Sequence, residues 1–192
     1  QGSGIEERAV SLIEGEDAFH GTPDDLFFGH ARLAPVGVAG PEVITLARKN
    51  ARMCITVRGL DRRIPEDRYY LTVEIPNDGY DFVGNPIAGT ARVRRTSAFH
   101  DNGDFSTDEA FNLIHTDPAV SPAGGVTVNL YEKALGRSAD RLIASVTDDD
   151  GRPISLPTGR TVNLLIDLNE GGGLSVYTEI TPWDEIYQWD IW

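Results

Sequence analysis

Apolar and polar residues alternate along much of this chain with a period of two. In Tyr70-Leu71-Thr72-Val73-Glu74-Ile75, Leu71, Val73 and Ile75 share one face, and in Val126-Thr127-Val128-Asn129-Leu130, Val126, Val128 and Leu130 do the same. Such alternation marks half-buried strands. It places them at Glu42–Ala47, Met53–Arg58, Tyr69–Ile75, Thr90–Arg94, Val126–Glu132, Arg141–Thr147, Thr161–Leu168 and Leu174–Thr181. The spacers carry turn chemistry, as in Asn77-Asp78-Gly79, Asp101-Asn102-Gly103, Asp150-Gly151 and Asn169 to Gly173. A period of 3.6 is visible once, over Ile5–Ile13, where Ile5, Ala9, Leu12 and Ile13 fall on one helical face. The pattern predicts an all-β, antiparallel sandwich or barrel.

The segment Pro23-Asp24-Asp25-Leu26-Phe27-Phe28-Gly29 breaks the alternation. A continuous apolar run bounded by turn residues fits a strand covered on both faces. Residues 34–41, APVGVAGP, string together two prolines and two glycines, which puts a boundary there. Residues 1–40 then read as the tail of a truncated first domain plus a linker, and 41–192 as a C-terminal β-sandwich of ordinary domain size.

Charge narrows the partners. Thirty acidic residues against seventeen basic ones give a formal net charge of −13. A nucleic-acid partner is therefore not expected, because phosphate binding needs a basic surface. No apolar run of about 18 residues is present to make a membrane-spanning helix. Two basic groups stand against this background, Arg48 to Arg63 and Arg92, Arg94 and Arg95. They read as a solvated sheet face balancing acidic loops, or as a patch for an acidic subunit.

No catalytic, cofactor or metal site is expected. Asp148-Asp149-Asp150-Gly151 suggests a calcium loop, but aligning Gly151 to position 6 puts Val146 at position 1 and Pro157 at position 12. His20, His30, His100 and His115 have no metal-ligand spacing, and Cys54 has no activating motif. The C-terminus is distinctive. Trp183, Trp189 and Trp192 all fall in the last ten residues, and Tyr187, Trp189 and Ile191 share one strand face. Tyr187, Trp189, Ile191 and Trp192 are the candidate partner-binding residues, with Trp183 and Ile186 assigned to the domain's own core.

The segments DDLFFG, EVITLARKNARMCITVRGL, YYLTVEIPNDGYDFVGN and EITPWDEI resemble the minor fimbrium anchor proteins related to fimbrillin, which serve the type V pili of Bacteroidia. The likeness spans residues 24–186 and includes the Arg48–Ala51 stretch RKNA. The resemblance implies transthyretin-like β-sandwiches and a non-enzymatic subunit at the outer-membrane surface. Such a subunit anchors or caps a fimbrial shaft and supports adhesion, with other fimbrial subunits as partners. It also implies membrane attachment through an N-terminal lipidated cysteine, which this sequence does not carry. A surface sandwich binding glycan or host protein, and an accessory domain of an enzyme, are the alternative readings.

Overall fold

The computed structural model describes residues 8–15, 17–29, 43–107, 109–117, 119, 124–136, 138–169, 171–185 and 189. The strands, in chain order, are β1 Arg8–Ser11, β2 Phe27–Phe28, β3 Ala47–Arg48, β4 Asn50–Arg58, β5 Tyr69–Asp81, β6 Pro86–Arg95, β7 Ala98–Phe99, β8 Phe105–Ser106, β9 Phe111–Ile114, β10 Thr127–Glu132, β11 Arg141–Val146, β12 Asp148–Asp149, β13 Arg152–Pro153, β14 Arg160–Leu168 and β15 Leu174–Pro182. Among the described residues they build two packed sheets and two separate two-stranded ribbons, β2–β3 and β12–β13, antiparallel in all pairings but one. The fold is the expected antiparallel-rich β-sandwich.

The first sheet is organised on β5. β6 runs along one edge of it, while β10 pairs with residues 69–74 and β1 with residues 79–81; β11 lies beyond β10. The second sheet is organised on β4. β14 pairs with β4 in parallel, β15 pairs with β14, and β8, β9 and β7 complete the opposite side. The period-two reading accounts for the core. Met53, Ile55 and Val57 of β4 and Leu164 and Ile166 of β14 face Leu71, Val73 and Ile75 of β5 and Val128 and Leu130 of β10. Each fully buried side chain of this kind contributes about 1.5–3 kcal/mol. The close of β4 depends on Gly59 at φ +86, where a Cβ would lie 2.3 Å from the Leu168 carbonyl oxygen.

Several expectations are corrected. Arg8–Ser11 is a strand and not part of a helix, because the long β5–β6 hairpin offers it an edge to pair with; Ile5 lies outside the described residues. Residues 43–46 are not a strand, and only Ala47–Arg48 pairs, with Phe27–Phe28. That short ribbon leaves Phe27 46% exposed, so the apolar run is not covered on both faces. Asn77-Asp78-Gly79 is no turn but a bulged part of β5. Asn77 is drawn inward to donate to the His115 carbonyl (3.0 Å), and a Cβ on Gly79 would meet the Val10 carbonyl oxygen at 2.4 Å. The chain turns instead at residues 82–85. There the Asp81 carboxylate accepts the Val83 and Asn85 amides, both at 2.9 Å.

One end of the sandwich is tied by a buried polar knot. His115 Nδ1 lies 2.8 Å from the Lys49 carbonyl oxygen. A carbonyl only accepts, so Nδ1 carries the proton. The Tyr80 hydroxyl donates to the same carbonyl (2.9 Å) and accepts the His115 amide (3.3 Å). Burial pushes the His115 imidazole below, and the Tyr80 phenol above, their ordinary values.

Two outcomes follow. Tyr80→Phe strands the knot and should destabilise the protein by about 1–3 kcal/mol in urea titrations. Because the folded imidazole resists a proton that the unfolded one accepts near pH 6.5, stability should fall as pH drops through that value. The loss should level off only below the lowered folded value. Comparing pH 8 with pH 5, His115→Asn should lose less stability than the parent protein. An equal loss would show that His115 is not the titrating group.

Candidate interaction surfaces

The C-terminal segment is clamped to the second sheet. Pro182, without an N–H, ends β15, and the chain bends so that the Glu185 amide donates to the Pro182 carbonyl (3.0 Å). Trp183 is half-buried. Its carbonyl accepts from Arg52 Nη1 (3.1 Å) and Thr161 Oγ1 (2.8 Å). The Arg48 guanidinium sits 4.0 Å from one Trp183 ring centroid and 4.6 Å from the Phe27 centroid, and it pairs with Asp25. Arg48 thus joins segments from both ends of the chain through charge and aromatic faces.

Trp189, one of the four candidate partner residues, is half-buried and packs 6.5 Å from the ring of Tyr177 on β15. Tyr187, Ile191 and Trp192 lie outside the described residues, as does Ile186.

The basic groups are engaged within the fold. Arg58 makes a two-pronged bond with Asp104 (3.0 and 3.1 Å), Arg63 pairs with Asp61, and Arg92 pairs with Glu74. Arg94 covers the ring of Tyr70 at 4.0 Å, and Tyr70 in turn stacks on Tyr131 and donates to Asp140 (2.8 Å). These side chains balance their own sheet faces, which is the solvated-face reading.

The histidines are scattered. His115 belongs to the buried knot, His100 lies 2.6 Å from the Ser106 hydroxyl, and His20 Nδ1 accepts the Arg92 amide (3.1 Å). His30 is outside the described residues. Cys54 sits on the outer face of β4, its thiol pushed up by burial and therefore not activated as a nucleophile. Among the described residues no three His, Cys, Asp or Glu side chains gather into a metal-binding set.

A surface that the sequence reading missed lies at the β5–β6 hairpin tip. Phe82 and Val83 are 64% and 67% exposed, and Val43, Ile44 and Leu46 are exposed too. A cleft of about 340 Å³ runs between Phe28, Val43, Phe82 and Val83, with Lys49 at its wall. The Asp81 carboxylate fixes the tip, so both side chains are held out in advance. The available signal was an aspartate followed by two apolar residues and Gly-Asn. Exposed apolar clusters of this kind mark contact surfaces.

The sequence profile of one protein family, the fimbrillin-A associated anchor proteins Mfa1 and Mfa2, matches residues 2–189. The chain belongs to this fimbrial anchor family. Membership ties the chain to the cell-surface fimbrium. None of the curated proteins matches its sequence significantly. Among solved structures the fold is similar to the fimbrial anchor protein Mfa2 of Porphyromonas gingivalis, at 11% identity and a TM-score of 0.57, over 95% of this chain and 68% of that one. It is also similar to a candidate adhesin of Bacteroides thetaiotaomicron, at 12% identity and a TM-score of 0.51, over 83% of this chain and 59% of that one. Among the described residues no helix is long and apolar enough to cross a membrane.

The clamp predicts a measurable coupling. Trp183→Ala should lower stability by about 2–3 kcal/mol, near the low end for a buried aromatic. Arg48→Ala should cost about 1 kcal/mol. In a double-mutant cycle the two should be coupled by at least about 0.5 kcal/mol. Strict additivity would separate the two side chains energetically.

Proposed function

We propose that this chain is a non-enzymatic fimbrial subunit that anchors or caps a shaft at the outer membrane and supports adhesion. Other fimbrial subunits are its partners. Its sandwich is of the transthyretin-like kind, and attachment to the membrane comes through a lipidated N-terminal cysteine. The observation that carries this reading is the family match along nearly the whole chain, residues 2–189.

Surface chemistry supports it over the glycan-binding alternative. A lectin-like face needs a broad platform of exposed aromatic rings; Tyr69, Tyr70 and Tyr80 are buried, Trp183 is half-buried under arginine, and Tyr177, 49% exposed, packs against Trp189. The exposed apolar cluster is mostly aliphatic: Phe82 and Val83 at the tip, with Val43, Ile44 and Leu46 beside them. A surface of that chemistry fits another protein. We place the contact with a neighbouring β-sandwich unit there, with residues 1–40 as the approach to it, of which Arg8–Ser11 pairs with the first sheet, and 41–192 as the main body of the unit. The four C-terminal residues Tyr187, Trp189, Ile191 and Trp192 remain the candidates for a second contact.

Deleting the gene in the cell that makes the protein should release fimbriae into the medium or change their length. Restoring the parent gene should reverse the effect. A Phe82→Ser/Val83→Ser double variant should fold normally yet complement poorly. Fimbriae of unchanged length and retention in the deletion strain would overturn the anchor-or-cap role.

A further inference from the structure

The hairpin tip carries a cation as well as an apolar cleft. Lys49 lines that cleft together with Phe28, Val43, Phe82 and Val83. Its main chain is held on both sides. The amide donates to the Leu26 carbonyl oxygen at 2.8 Å, and the carbonyl is the acceptor at the centre of the buried knot. Its side chain runs over Gly84, where a Cβ would come within 2.9 Å of Lys49 Cε and 2.7 Å of the Phe28 ring. A glycine at φ +78 therefore lets the lysine stem and the ring close on the tip.

The ammonium is left without a counter-charge. Of the two lysines in the chain, Lys133 donates through Nζ to the Asp67 carbonyl oxygen. Among the described residues no carboxylate lies at ion-pair distance from Lys49 Nζ. The adjacent Arg48 is paired with Asp25, and the tip's own carboxylate, Asp81, is turned to the Val83 and Asn85 amides. Lys49 is thus the member of the Arg48 to Arg63 stretch that the fold does not neutralise or cover.

Two features decide what fits. The amides of Asp81, Val83, Gly84 and Asn85 all donate within the turn, so the tip offers no strand edge and recognition there is by side chains. An apolar cleft with an ammonium on its wall suits an apolar group with a negative charge beside it, because the low-dielectric wall strengthens the pair. A net charge of −13 opposes approach to an anionic lipid surface, which leaves a protein as the source of that charge.

We propose that the tip cleft receives, from another fimbrial subunit, a large apolar side chain and the carboxylate of an adjacent Asp or Glu, and that this carboxylate pairs with Lys49 Nζ. The apolar group supplies burial, and Lys49 selects the partner and sets its orientation. The inference rests on the subunit contact placed at the tip above and names its chemistry.

The test has two arms. In the first, isotope-labelled protein is titrated with acetyl-Gly-Leu-Leu-Asp-Gly-amide and with its Asn counterpart, and binding is read from the Val83 and Gly84 amide resonances. The Asp peptide should bind at least about threefold more tightly. That preference should vanish in Lys49→Met, which keeps an unbranched apolar stem, and Phe82→Ser/Val83→Ser should bind neither peptide. Octanoate, the probe for a lipid occupant, should bind more weakly than the Asp peptide. Equal binding of the two peptides would overturn the proposal, as would a preference that survives Lys49→Met, no response to either peptide, or tighter binding of octanoate. In the second arm, isolated fimbriae are treated with a water-soluble carbodiimide, which joins an amine to a carboxylate in contact with it and takes up the water lost. Peptide mass spectrometry should find Lys49 joined to an Asp or Glu of another fimbrial subunit, and Lys133 not. Equal linkage of both lysines, or no linkage of Lys49 to another subunit, would contradict the pairing. Loss of the Asp preference together with poor complementation by Phe82→Ser/Val83→Ser would reject the Lys49 pair and leave the tip contact standing.

Discussion

Everything in this molecule depends on burying the inner faces of two sheets against each other. Met53, Ile55 and Val57 on one side and Leu71, Val73 and Ile75 on the other are fully enclosed. Area burial on that scale is what offsets the ordering of a chain with a single cysteine, in which no disulfide can form within one molecule. The same requirement explains the long hairpin, the buried knot at Lys49, Tyr80 and His115, and the arginine-covered Trp183. Each closes an end or a face that the two sheets alone leave open. Where closure is incomplete, at the hairpin tip, the surface is available to other chains.

The strands that make this core were legible because their environment is asymmetric. One face of β5, β10 and β14 looks inward, and alternation records it directly. The parallel pairing of β4 with β14 was not legible. Periodicity states which face is buried and says nothing of which strands are neighbours. The short pieces β7, β8 and β12 were missed for a related reason: two residues carry no period. The apparent helix over Ile5–Ile13 and the apparent turn at Asn77-Asp78-Gly79 show local preference yielding to pairing. Asn77 and Gly79 suit a turn, but here a donor to His115 and a close approach of Val10 use the same residue types inside a strand.

The candidate surfaces were less readable than the fold. Aromatic clustering drew attention to the C-terminus, and the structure turns Trp183 and Trp189 onto the chain's own second sheet. The exposed tip at Phe82 and Val83 carries residue types that ordinarily signal a core. Only the geometry of the Asp81 turn reveals that they point outward. The arginine runs could be read as a solvated face or as a docking patch, and each guanidinium lies over a ring or beside a carboxylate, as a solvated face requires. Surfaces through which subunits meet have no fixed chemistry to search for, whereas core faces do.

The central claim is that this anchor-family chain works by contact with other fimbrial subunits through surfaces the sandwich leaves open. It is tested most directly by placing a photo-cross-linking side chain at position 83 in the cells that make the protein, with an outward control at position 63, and identifying the adducts by mass spectrometry. The account predicts a covalent adduct with a fimbrial subunit from position 83 and none from position 63. Adducts confined to glycan, equal yields at both positions, or no adduct with any fimbrial protein would contradict it.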